Sequence, residues 1–88
     1  MSRQPIFAPT TIMFLTEEEA KRGMEILKKA AIENNGFLSS NMFEKIVHEK
    51  DTNYDPRMGW SLEMLENAKF FKHYHFHIVE ITGEKIWI

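Results

Sequence analysis

Apolar spacing divides this chain into a helical front and a β-like end. Ala20, Met24, Leu27 and Ala31 fall on one stripe of a helix, which Gly23 and Ala30 widen. Thr16-Glu17-Glu18-Glu19 opens that helix as a capping box, with Leu15 and Ala20 at the staple positions, and Asn34-Asn35-Gly36 closes it. Upstream, the β-branched and apolar run from Thr10 to Leu15 reads as a short strand. Downstream, Phe37-Leu38 allows one extended step. Ser39-Ser40 then offers an N-cap to a second helix over residues 40–49, whose Met42, Phe43, Ile46 and Val47 make a buried side.

Lys50 to Gly59 is polar and carries Asp-Pro and Gly, so it reads as a loop. A third helix is predicted to run to Phe71, capped by Asp55-Pro56 or by Ser61, with Leu62, Leu65 and Ala68 on its core face. After it the period changes to two: His73, His75 and His77 alternate with Tyr74, Phe76 and Ile78, which predicts a strand with three imidazoles on one face. Thr82-Gly83 suits a hairpin turn. A two-residue loop there would pair Ile78 with Trp87 and Glu80 with Lys85, and a three-residue loop would shift that register; both remain open.

The expected architecture is α+β: a short N-terminal strand, three helices and a C-terminal β-hairpin, in one domain over residues 10–88 behind a loose arm at 1–9. The order of elements, the NNGFLSS junction and the Thr82-Gly83 turn resemble a winged helix-turn-helix domain across residues 16–88. The resemblance implies a recognition helix at 60–71, a wing at 76–88 and duplex DNA as partner.

Composition narrows the function classes. Eighty-eight residues without cysteine can form neither a disulfide nor a thiolate metal site, so the fold rests on packing. The net charge is −2 and the two halves of the chain are nearly alike, which leaves no polybasic arm. The N-terminal apolar run is too short for a signal or membrane segment, and a soluble cytoplasmic protein is expected. No nucleophile elbow, phosphate loop or paired carboxylates appear, and Ser39, Ser40 and Ser61 are better explained as caps, so no enzymatic activity and no cofactor are expected.

Imidazole suits zinc, copper, nickel or iron, which makes His73, His75 and His77 the candidate metal ligands. Same-face residues on a strand stand nearly 7 Å apart, however, and no HExxH accompanies them, so no metal site is expected. Trp60, Phe70, Phe71, Tyr74, Phe76 and Trp87 would suit base stacking, but in so small a domain they are expected in the core.

For DNA, the candidate contacts are Arg57, Ser61 and Asn67 around the third helix, Lys72 and Lys85 from the hairpin, and Lys45 nearby. Glu63 and Glu66 on the same helix oppose a polyanion. They favour a second reading, a protein-interaction module that docks through its hairpin and acidic third helix. Exposed Ile86, Trp87 and Ile88 would add an apolar edge suited to a homodimer.

Overall fold

The computed structural model describes residues 10–81. Its elements are β1 (Thr10–Phe14), α1 (Glu17–Glu33), β2 (Phe37–Ser39), α2 (Ser40–His48), β3 (Gly59–Ser61), α3 (Leu62–Glu66), β4 (Lys69–His73) and β5 (Phe76–Ile81). The fold is α+β, with three helices, an N-terminal strand and a hairpin late in the chain, as expected.

Local chemistry sets the helix starts. Thr16, Ser39 and Ser61 each hold an extended backbone, and each side chain accepts a hydrogen bond from the amide three residues on, Glu19, Met42 and Met64 respectively. That satisfies one donor that a helix N-terminus leaves open. At the far end of α1, Asn35 (φ 61°) and Gly36 (φ 85°) both turn left-handed, and the Gly36 amide donates to the Ala31 carbonyl at 2.7 Å. The chain thereby reverses into β2.

α1 is the hub. One side of it packs on an antiparallel sheet of order β1-β5-β4, and the other meets the β2-β3 ribbon, α2 and α3. Ala20, Met24, Leu27 and Ala31 form its buried stripe, which joins Ile12, Val79 and Ile81 from the sheet and Leu38, Phe43, Trp60 and Leu65 from the other layer. In α2 only Phe43 is fully buried among the expected apolar side, and Ile46 is exposed. The ten-residue connection after α2 is pinned by Asn41, whose side chain donates to the Tyr54 carbonyl and accepts from the Tyr54 amide and the Thr52 hydroxyl at 2.7 to 2.9 Å.

Two boundaries differ from the sequence reading. The third helix stops at Glu66 because residues 69–73 pair with β5, Phe70 opposite Val79 and Phe71 opposite Ile78. The hairpin therefore turns at Tyr74-His75, with Tyr74 at φ 57°. β5 is also the central strand, its other edge taken by β1, with Met13 opposite Ile78 and Thr11 opposite Glu80. The partners of β5 among the described residues are β1 and β4, and the registers expected for Trp87 and Lys85 lie outside the described residues, as do residues 82 and 83.

One buried polar group stands alone among the described residues. Ser40, at the first position of α2, is 2 % exposed and its Oγ has no hydrogen-bond partner there. Burying an unpaired hydroxyl is costly, and alanine is the better helix former. Ser40→Ala is expected to raise stability by about 0.5–1 kcal/mol, read as a higher urea midpoint at unchanged slope. A lower midpoint would show that the hydroxyl is bonded in solution.

Candidate binding surface

The residues expected to grip DNA do not form a free basic patch. On α2, Lys45 Nζ lies 3.1 Å from the Asp51 carboxylate. Arg57 grips its neighbour Asp55 in a fork, Nε to Oδ1 at 3.1 Å and Nη2 to Oδ2 at 2.8 Å, and the Arg57 amide donates to the same carboxylate. Those hydrogen bonds, side chain first and then backbone, hold the Asp55 carboxyl well below its usual range, at about 2, and raise the Arg57 pKa in turn.

The folded-state pKa of Asp55 is depressed, so the stabilisation is complete above the ordinary carboxylate value of about 3.9 and fades as pH falls towards 2. Arg57→Gln is expected to move the Asp55 carboxyl midpoint up towards 3.9 in a carbon-detected NMR titration. A midpoint that stays near 2 would assign the shift to something other than the guanidinium.

Ser61 spends its hydroxyl on the α3 cap and also sits opposite Phe37 in the β2-β3 ribbon. Asn67 closes the same helix, and the two residues bracket a helix of only five residues. Lys72 projects from β4 with no ion-pair partner among the described residues; Lys85 lies outside them. Of this set, α3 brings together only Ser61 and Asn67.

The three histidines are not on one face. His73 ends β4, His75 is in the turn, and His77 is second in β5, opposite both Lys72 and Phe14. By strand alternation His73 points to the face away from α1 and His77 towards it. Among the described residues no group of three His, Cys, Asp or Glu side chains is placed to hold a metal ion. His48 instead meets Glu44 at 2.8 Å.

The aromatic residues split into two classes. Trp60 is buried and packs on Phe43 with ring centroids 5.0 Å apart. Phe70, Phe71, Tyr74 and Phe76 are exposed instead of lying in the core. Every residue of β4 is exposed, and β4 is a sheet edge.

Register assigns these side chains to faces. Thr10, Ile12 and Phe14, then Ile81, Val79 and His77, then Phe70 and Lys72, face α1. Met13, Ile78 and Phe71 form a row straight across the other face, with Phe76 beside it. Met13 is 62 % exposed, Phe71 46 % and Phe76 38 %. Thr11, Glu80 and Lys69 make the neighbouring row, in which Glu80 and Lys69 are directly opposed. An antiparallel sheet with one solvated face normally carries polar residues there; this face is apolar through its middle. The signal was present in the sequence as Met13 two residues from Thr11 and Phe71 two from Lys69, but the face emerges only once the strands are in register.

Compared with family models, with curated proteins and with solved structures, the chain matches none. Its function must be read from the surface itself. No helix among the described residues is long and apolar enough to cross a membrane.

Proposed function

We propose that this protein acts by binding, with no chemistry of its own, and that it docks on another protein through the open face of its three-stranded sheet. The observation that carries this reading is the row of exposed Met13, half-buried Ile78 and exposed Phe71, extended by Phe76, on the side away from α1. Contiguous apolar surface rimmed by polar groups is the mark of a protein interface, and aromatic and methionine side chains are enriched in such interfaces. Its rim on the β4 side carries Lys69 and His73 against the carboxylate Glu80. The matching partner surface is apolar at its centre and acidic where it meets β4.

Duplex DNA, contacted through Lys45, Arg57, Ser61, Asn67 and Lys72, has less support. Lys45 and Arg57 already hold carboxylates of this chain, and Met13 and Ile78 offer phosphates nothing.

The test is a random-peptide selection on the immobilised chain, followed by NMR mapping of the enriched peptides. They are expected to combine apolar residues with Asp or Glu, to perturb Met13, Phe71 and Ile78, and to lose about tenfold or more in affinity against Phe71→Asp. Because Phe71 is about half exposed, that variant is expected to keep its melting transition. Peptides indifferent to Phe71→Asp would overturn the reading. So would a duplex-DNA mobility shift at low salt that fades steeply as salt rises and survives the same substitution.

A further inference from the structure

A cleft opens beside the hairpin, bordered in part by Phe71 and Ile78 of the docking face. It occupies about 470 Å³ between the first turns of α1 and the β4-β5 hairpin, within the size range of small-molecule sites. Ala20, Phe70, Phe71 and Ile78 give it apolar walls, and Glu17, Lys21, Lys72 and His77 supply its charged and polar groups.

The charges are arranged for a guest. Lys72 and His77 stand directly opposite each other on adjacent strands, both on the α1 side. The lysine ammonium and the imidazole thus offer N–H donors to one shared space, where an anion can accept from both. Lys21 reaches the same cleft from α1, where Glu17 meets it at 3.4 Å across a solvated pair. No carboxylate among the described residues pairs with Lys72. The two lysines and one glutamate among its lining residues leave a single net positive charge around the cleft. Phe70, half exposed at its mouth, offers the flat face of a ring.

We infer that this cleft binds a carboxylate carried on a flat apolar body, the anion between Lys72 and His77 and the ring against Phe70 and Ala20. Phosphate esters fit less well, since they bring about two charges to a site that balances one. Such a carboxylate has two sources, a free aryl acid or the terminal carboxylate of a protein chain ending in an aromatic residue. The cleft shares Phe71 and Ile78 with the docking face, whereas Met13 belongs to that face and does not line the cleft.

The experiment titrates 2-naphthoate into the isotope-labelled chain, with 2-naphthamide as the neutral match, and in a second arm a tetrapeptide ending in phenylalanine, with its amidated form. Saturable shifts are expected at Ala20, Phe70, Lys72 and His77. Each carboxylate should bind about fivefold or more tightly than its amide, as a charge-assisted contact requires. Lys72→Gln, at an exposed position, should remove that difference while leaving the amide unchanged. A tighter peptide than naphthoate assigns a protein terminus as the source, and the reverse order assigns a free acid. Equal binding of acid and amide, shifts that leave Ala20, Phe70, Lys72 and His77 unmoved, or no saturable shift would overturn the inference. Met13 tells the two sites apart, since it belongs to the docking face and does not line the cleft.

Discussion

Gly59→Ala is expected to cost at least about 3 kcal/mol, a large share of the roughly 4 to 13 kcal/mol that a domain of this length holds in reserve. A Cβ at this position would stand 2.0 Å from the Leu38 carbonyl oxygen, 2.7 Å from Ser39 Cα and 2.9 Å from the Leu38 carbonyl carbon. All three are backbone atoms, so no rotamer change relieves the clash. The β2-β3 ribbon has to part, and with it go the positions of Leu38 and Trp60, which are cross-strand neighbours and both buried. Gly36→Ala is the control. Nothing lies within 4 Å of the Cβ it would add, and its cost is limited to holding alanine left-handed, about 1–2 kcal/mol. Urea unfolding of the two variants separates these causes. A Gly59→Ala midpoint at or above that of Gly36→Ala would mean that the ribbon is not packed as described.

What could be read from sequence tracks how local its cause is. Thr16, Ser39 and Ser61 cap helices through hydrogen bonds reaching three residues, and each was a candidate cap from its neighbours alone. The α1 stripe was legible for the same reason. The third helix was not: Leu62, Leu65 and Ala68 keep helical spacing, but residues 69–73 gain a strand partner only through β5, a pairing no local window contains. The turn misled in the same way. Thr82-Gly83 has the residues a hairpin prefers, whereas the chain reverses at Tyr74-His75, with a non-glycine residue left-handed, because β1 and β4 both claim β5. Once the turn moves, the alternation of the three histidines loses its meaning. The binding surface was hidden by the same long-range register: Met13 and Phe71 are far apart in sequence and become neighbours only across Ile78.

Core burial was hardest to read for the aromatic residues, and a pair of substitutions measures the split directly. Trp60→Ala is expected to cost about 3–5 kcal/mol, the range for emptying a large aromatic site in a packed core. Trp60 is 1 % exposed and lies against Phe43, whose ring is tilted 50° to its own, so its removal strips contacts from β3 and α2 together. Phe71→Ala on the open sheet face should change stability by less than about 1 kcal/mol, since roughly half of that side chain already meets water and its loss leaves no enclosed cavity. Both values come from urea midpoints on the same protein. A Phe71→Ala cost approaching that of Trp60→Ala would mean that the row through Met13, Ile78 and Phe71 is covered in solution. The face would then already be occupied, by this chain or a second copy, and closed to an external partner.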